Sequence, residues 1–545
     1  YTKDEYMKRM DPMYQRKRSS IHILNRYLQL LSEGSDDKAK LFTIDYFTLE
    51  SNEFKRKYEL TNVSKLPISE ERHKAIYDNL TSEQKEIVKE YGDDTSNMLI
   101  LAGPGTGKTK VLIDKIVRMI IDGNYKSEHF LMLTFTQSAK LEFKRRLHKQ
   151  IGNLAYEVDI HTFHSYASDL LGAYSEKLDE VVLGSIIPDA TKRIISGEIS
   201  LPYKNVIVLD EYQDVNETFY AFIKALYEQF SNNKNEEQST DVRVIAVADD
   251  DQCIMDFVGA DIKFIKEYEQ NFEAKRYLLT ENFRSTAMIV ECANEFIAGI
   301  ENRLDSNKTI KSYTSNTGEV NLHYYQSPDF LTEILPFIQN SEEKNIAVIA
   351  YKNQQVLDLY SILKEDTLLD VSYLLRREGF KLFMLDEIYY FTQYIENKSN
   401  KDNHIIPQAI FNNAKKDLKE KYARSEKLTI VLKHIDEFDD NHELFTLSFW
   451  NNYTYETTVG ELENIKSKVV ISTIHRIKGM EFDEVHVILQ NEKDIMQNKY
   501  CSAQDNLDNF KRLYYVALTR AKSILHIHSY PRVSFKALDS IAKVH

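Results

Sequence analysis

Ala102-Gly103-Pro104-Gly105-Thr106-Gly107-Lys108-Thr109 stands between the apolar run Met98–Leu101 and the helical pattern Val111-Leu-Ile-Asp-Lys-Ile-Val. Strand, glycine-rich turn, lysine, hydroxyl, helix is the layout of a phosphate-binding loop. The glycines let successive backbone N–H groups curl around phosphate oxygens, and the helix adds the positive end of its dipole. In that reading Lys108 reaches the β- and γ-phosphates of a nucleoside triphosphate and the Thr109 hydroxyl takes Mg²⁺. A tight strand-to-helix turn with a surface lysine would look the same locally, so the rest of the chain has to decide.

The 545 residues are enough for about two to four domains. A hydrophobic share of 42% with 28% charged residues describes an ordinary globular protein. No apolar run approaches the roughly 20 residues a membrane helix needs, and no signal peptide heads the sequence, so a cytoplasmic location and no membrane partner are expected. Cys253, Cys292 and Cys501 lie far apart, without the paired spacing of a zinc or iron–sulfur site, and read as reduced thiols. The net charge of −14 argues against indiscriminate binding to a polyanion. Any nucleic-acid contact must therefore be argued from motifs. The chain opens on Tyr1 rather than Met, as a fragment or a processed product would.

Residues 1–75 read as a small helical accessory segment. Its start is basic (Lys8, Arg9, Arg16, Lys17, Arg18). Ser20 caps an apolar stripe of Ile21, Leu24, Leu28 and Leu31 closed by Gly34, and a second apolar stretch runs from Leu41 to Leu49. From about residue 76 short β-rich runs recur at Met98–Leu101, Phe130–Thr134, Val206–Leu209, Val242–Val247 and Tyr277–Thr280, with helical stretches between most of them. That alternation is the signature of a parallel sheet with crossover helices. A second series includes Ile346–Tyr351, Val469–Thr473, Val485–Leu489 and Ile524–His528. Polar, asparagine-rich loops are expected at Ser231–Asp241, Glu396–His404 and Asp436–Glu443.

Two of these strands end in chemistry. Val206-Ile-Val-Leu-Asp210-Glu211-Tyr-Gln213-Asp214 places Asp210 where a Mg²⁺ ligand belongs and Glu211 where a base would orient and deprotonate the attacking water. Val244-Ile-Ala-Val-Ala-Asp249-Asp-Asp251-Gln252 ends on a glutamine suited to sensing a γ-phosphate. Arg284, in Thr280-Glu-Asn-Phe-Arg-Ser, and Arg520, in Tyr515-Val-Ala-Leu-Thr-Arg-Ala-Lys, are candidates for stabilising charge on the transferred phosphoryl group. Arginine suits that work because its planar fork pairs with phosphate oxygens and keeps its charge.

Together these segments resemble the UvrD/Rep/PcrA-like helicases of superfamily 1. Leu80-Thr-Ser-Glu-Gln84 looks like that family's adenine-reading glutamine motif. Phe130-Leu-Met-Leu-Thr-Phe135-Thr136-Gln-Ser-Ala-Lys-Leu-Glu is similar to its first DNA-contacting motif, and Thr162-Phe163-His164-Ser165 to the second. Thr473-Ile-His475-Arg-Ile-Lys478-Gly479-Met-Glu481-Phe resembles its fifth motif, which touches both DNA and nucleotide. Order and spacing fit too, over roughly residues 76 to 530.

The resemblance implies an α/β protein of two RecA-like parallel-sheet lobes with ATP between them. The first lobe would span 76–283 with a short insertion at 166–204. The second would span 284–530 with an accessory insertion at about 391–466, before a tail at 531–545. Lys108, Thr109, Asp210, Glu211 and Gln252 would come from the first lobe, Arg284 from the boundary and Arg520 from the second. Lys110 follows the loop where the family often has arginine. Gln84 and Phe283 would take the adenine, Phe283 replacing the family's usual tyrosine while keeping a stacking face, and Glu481 the ribose. Phe135, Thr136, Thr162, Phe163, His164, Phe257, Thr473 and His475 would line the DNA path.

The departures bear on that path. After Gln252 the family usually has an aromatic residue and later Arg-Gly-Ala; here the positions hold Met255 and Val258-Gly259-Ala260. An aromatic platform contributes about 1–3 kcal/mol per stacked base, so weaker or more selective stepping is expected, with Phe257 as the remaining stacker. Both insertions are shorter than the family's accessory subdomains. The expected function is an ATP-dependent motor moving 3′ to 5′ on single-stranded DNA in repair, recombination or defence, with tailed or forked duplexes as further substrates. Processive unwinding by this chain alone is in doubt. The alternatives are a nucleotide-gated DNA- or partner-binding subunit and an RNA-directed motor. No nuclease motif is evident, and a fused N-terminal domain or protein partner remains open.

Overall fold

The computed structural model describes residues 77–530 apart from gaps, chiefly 90–95, 172–179, 233–240, 375–384, 399–405, 442–446, 455–466 and 490–501, together with Lys40, Phe42 and 543–544. The basic start and the helix expected after Ser20 lie outside the described residues.

Two parallel sheets dominate. The first holds six strands: β1 (Met98–Ala102), β2 (Phe130–Thr134), β3 (Asp159–Thr162), β4 (Val206–Leu209), β5 (Arg243–Ala248) and β6 (Lys275–Leu279), in the order β3-β2-β4-β5-β1-β6. Alternate residues of its central strands enter separate cores. Leu99, Leu131, Ile207 and Ala246 face one way, and Ile100, Met132, Val208 and Ile245 the other. Helices cover both faces, which is why these strands read as unbroken apolar runs.

A two-residue pair, β7 (Glu281–Asn282) with β8 (Lys311–Ser312), follows. The second sheet is built from β9 (Glu319–Tyr324), β10 (Ile346–Ala350), β11 (Val371–Leu374), β12 (Val469–Thr473), β13 (Phe482–Leu489), β14 (Ala521–Ser529) and β15 (Lys543–Val544), in the order β11-β12-β10-β13-β14-β9-β15. Every described pairing in both sheets is parallel. β15 lies in the expected tail and pairs with β9, so the tail returns to the sheet.

Between β11 and β12 the chain makes a helical layer from Asp386–Lys398, Gln408–Lys421 and Leu428–Asn441, closed around Trp450 and Tyr453. It begins five residues before the boundary expected at 391. The polar loop expected at Asp436–Glu443 is a correction: as far as Asn441 it is helix. Ile435 and Phe438 are fully buried in this layer, and their spacing puts both on the inward face of a helix whose outward face is polar. Leu141, from the first-lobe helix Gln137–Ile151, packs against the same core.

Candidate nucleotide site between two sheets

The glycine-rich turn leaves β1 and enters the helix Lys108–Ile121. Gly105 and Gly107 have φ of 68° and 83°, a region that favours glycine. A Cβ at Gly105 would also come within 2.7 Å of the Arg284 Cβ, so the loop can approach the second half of the cleft only as glycine. Asn282 fastens it there, donating from Nδ2 to the Pro104 carbonyl at 2.7 Å. Gln84 reaches the loop from the other side, donating from Nε2 to the Thr106 carbonyl at 3.3 Å. Thr106 itself donates to the Gly103 carbonyl at 2.8 Å, and Lys110 is paired with Asp114 at 3.1 Å.

Opposite the loop, Asp210 follows the end of β4 and the backbone turns sharply, with Glu211 at φ 51°. A side chain in that left-handed region costs on the order of 1–3 kcal/mol, and the turn aims the carboxylate back at the loop, 3.5 Å from Lys108 Nζ. Burial alone would raise the Glu211 pKa. Lys108, Lys478, a hydrogen bond from Gln213 and Arg520 outweigh it, so Glu211 is held as a carboxylate below its usual range. Asp210 is shifted the other way, by burial and by its charged neighbour Glu211, against the pull of Lys108.

Gln213 and Asp249 carry this site to β5. Gln213 donates to Glu211 and accepts from the Asp249 N–H at 3.0 Å. Gln252 donates from Nε2 to Asp249 at 2.8 Å. The Asp249–Asp251 run is fully buried and surrounds Lys308, whose Nζ lies 3.0 Å from Asp249 and 2.9 Å from Asp251 and also bonds Asp250. Burial would push Lys308 down, but the three carboxylates hold it well above the usual lysine value. Arg303 adds a two-pronged pair to Asp251, at 2.9 and 2.7 Å.

The second sheet brings cations to the same cleft. Arg284 pairs with Glu481 at 2.8 Å and donates to the Thr519 carbonyl at 3.2 Å. Arg520, 1% exposed, donates to the carbonyls of Val516 (2.8 Å) and Met480 (3.2 Å) and to the Thr519 hydroxyl (3.1 Å). Burial and the nearby Arg284 bring its pKa down to about 9. Lys478 crosses between the sheets, donating to both carboxylate oxygens of Asp214 (2.7 and 2.8 Å) and to the Gln252 carbonyl (3.2 Å). At the mouth, Phe283 and Tyr313 form an exposed aromatic pair with ring centres 4.6 Å apart.

The comparisons agree with this two-sheet arrangement. A family model described as the UvrD/REP helicase N-terminal domain matches residues 80–199 and 190–273, and one described as the UvrD-like helicase C-terminal domain matches 408–531. The chain belongs to the UvrD-like helicases. That family consists of ATP-dependent DNA helicases, so this helicase is an ATP hydrolase. Among its relatives, the ATP-dependent DNA helicase PcrA of Staphylococcus aureus is 22% identical over 640 residues, covering 85% of this chain and 84% of the relative. The protein of the same description from Staphylococcus epidermidis is 21% identical over 631 residues, covering 83% of each.

The residues expected on the DNA path fall into two groups, one around Phe219 and one around His475. Thr136 caps the helix Gln137–Ile151, accepting from the Ala139 N–H at 3.2 Å. Phe135 and Phe163 pack with each other and with Phe219; Phe163 is 1% exposed, so its ring is part of the core and offers no stacking face. Thr162 and Thr473 are buried, and His164 packs edge-on to Phe219. Phe257, 54% exposed, meets His475, just beyond β12, edge-on at 5.5 Å, and His475 lies 6.4 Å from Tyr351.

Several site residues carry no motif of their own in the sequence. Asp214, Gln213 and Lys478 stand inside motifs quoted for other residues. Lys308 and Arg303 sit in a connector, Arg303-Leu-Asp-Ser-Asn-Lys308, with no periodicity to mark them. Only the three aspartates at the end of β5, which require a counter-charge if buried, hinted at a cation.

Proposed function

We propose that this helicase is an ATP-driven motor that steps 3′ to 5′ along single-stranded DNA, its two sheets closing on ATP and parting after hydrolysis. The observation that carries the reading is the Asp214–Lys478 pair, which joins the strand end holding Glu211 to the motif holding His475. A change at the γ-phosphate therefore has a short path to the aromatic group formed by Phe257, His475 and Tyr351, the face on which bases would stack.

The residues take these roles. Backbone N–H groups of Gly105 to Lys108 cradle the phosphates, and Lys108 leaves Glu211 to reach the β- and γ-oxygens. Glu211, already ionised, orients the attacking water and accepts its proton. Gln252 senses the γ-phosphate. Arg284 and Arg520 exchange their present partners for phosphate oxygens, freeing Glu481 for the ribose, while Phe283 and Gln84 hold the base. The donor set also fits Mg²⁺: Asp210 is a buried carboxylate beside a second one, Glu211, an oxygen pair that a hard cation favours. Thr109 and Asp210 would hold the ion, which when bound neutralises charge on the phosphate oxygens.

The compact helical layer at 386–454 supports translocation more than processive unwinding, with repair, recombination or defence as the setting. The test is streptavidin displacement from biotinylated oligonucleotides. Faster ATP-dependent release from the 5′ end is expected; equal release from both ends, or faster release from the 3′ end, overturns the polarity.

A further inference from the structure

Four histidines gather on one face of the second sheet, where apolar side chains would otherwise continue the core formed by Ile346, Val348 and Ile488. His486 on β13 sits beside His526 on β14, and His528 on β14 beside His323 on β9. Glu484, one step earlier on the same face of β13, completes the group. Glu484 is 2% exposed, His486 0% and His526 9%, so the cluster is nearly closed to solvent. Phe337 covers His323, His526 and His528.

Two imidazole nitrogens converge on one carboxylate oxygen. His486 Nε2 lies 2.8 Å and His526 Nε2 3.5 Å from the same oxygen of Glu484, Oε1. The ligand-type atoms of these three residues all lie within 4.8 Å of one another. Behind them, each ring is backed by another histidine: His486 Nδ1 is 2.9 Å from His528 Nε2, and His526 Nδ1 is 3.0 Å from His323 Nε2. His528 in turn meets the Tyr325 hydroxyl at 2.7 Å. Ser341 fixes the other oxygen of Glu484.

We propose that Glu484 Oε1, His486 Nε2 and His526 Nε2 form a binding site for a divalent transition metal of the Zn²⁺ class. Two imidazoles and a carboxylate are a donor set such ions favour. Bonds of about 2.0–2.2 Å in tetrahedral geometry put ligand atoms about 3.3 Å apart, close to the present 2.8 and 3.5 Å. The outer histidines supply the second hydrogen-bonded layer that fixes a ligating ring and its tautomer.

The protons balance without any leaving the cluster on the longer chain. Glu484 can only accept, so in the metal-free state Tyr325 O–H donates to His528 Nδ1, His528 Nε2–H to His486 Nδ1, and His486 Nε2–H to Glu484. When a metal takes His486 Nε2, its proton moves to Nδ1 and both histidines change tautomer. His486 Nδ1–H then donates to His528 Nε2, and His528 Nδ1–H donates to the Tyr325 oxygen. The imidazole-to-imidazole bond survives with donor and acceptor exchanged.

One adjustment is required. The His486 and His526 rings are stacked 4.5 Å apart and only 6° from parallel, so a single ion cannot lie in both ring planes. The His526 ring, the more exposed of the two, must tilt out of the stack. A bound ion would then cross-link β13 and β14, the two strands that directly follow Glu481 and Arg520.

The test uses the full chain, dialysed against chelator and titrated with Zn²⁺ in the absence of nucleotide, with Co²⁺ as a spectroscopic substitute. About one Zn²⁺ per chain and the visible absorption of tetrahedral Co²⁺ are expected. Glu484→Gln keeps the shape of the acid and its capacity to accept, and His526→Gln keeps a polar group; each should weaken Zn²⁺ binding at least tenfold and abolish the Co²⁺ absorption. Binding well below one equivalent, or variants that bind as the parent does, overturns the site. Should a variant fail to fold, Zn²⁺-soaked crystals of the parent decide. An anomalous peak between the three side chains supports the proposal, and its absence or a peak elsewhere overturns it.

Discussion

The two sheets offer the cleft opposite things. The first presents groups set by the backbone: a glycine turn with positive φ at Gly105 and Gly107, and Glu211 held by a left-handed backbone 3.5 Å from Lys108. The second presents cations turned inward, with Arg520 bound to the carbonyls of Val516 and Met480 and Arg284 bound to Glu481. Both are parallel sheets with covered faces, so the difference lies in the strand ends. In the proposed mechanism the first half exchanges only Lys108 while the second exchanges both arginines, and that larger exchange would let nucleotide binding move one sheet against the other.

The difference predicts how each half fails. The largest effect is expected for Arg520→Ala, which should lower kcat for ATP hydrolysis by about 10³–10⁵-fold, the range of an arginine that meets transferring phosphate. Equilibrium binding of a labelled ATP analogue should be nearly unchanged. A loss of binding as large as the loss of kcat would make Arg520 a ground-state contact instead. Glu211→Gln comes next, with kcat down about 10²–10⁴-fold. Binding of ATP should be kept or tightened, since the substitution removes a negative charge beside the phosphates.

Between the sheets, Lys478→Met strips the counter-charge from Asp214, a step that costs about 3–5 kcal/mol for a fully buried pair and less here, where the Asp214 side chain is 16% exposed. Thermal unfolding should show a clear drop, with loss of DNA stimulation of hydrolysis. The double variant Asp214→Asn/Lys478→Met should recover stability but not stimulation. Recovery of both would mean the pair is only a staple. The smallest effect belongs to the cleft mouth: Phe283→Ala should raise KM for ATP roughly tenfold, from a lost stacking contact of about 0.5–1.5 kcal/mol plus buried area, with kcat little changed.

Legibility in the sequence followed burial. β1, β2, β4, β5, β10 and β12 were readable because sheets covered on both faces make continuous apolar runs. β3 and β9 were missed, because His161 interrupts the first and Asn321 and His323 the second; β11, with a serine at 372, lies at a sheet edge. The helix through Asn441 has the composition of a loop because Asp436, Asp439, Asp440 and Asn441 outweigh Ile435 and Phe438 in number, though not in packing. The nucleotide-site motifs stood out because backbone geometry and charge restrict those positions to few residue types. Lys308 did not, since its role depends on three aspartates that precede it by more than fifty residues. Phe163 belongs to a quoted motif yet is buried, because sequence alone does not say which side of a helix start faces the core.

The most direct test of the account is steady-state ATP hydrolysis by the full chain with and without single-stranded DNA, beside Glu211→Gln. Strong stimulation by DNA that vanishes in the variant is the predicted result. Hydrolysis that DNA leaves unchanged, or that survives in Glu211→Gln, would contradict a motor driven through this cleft.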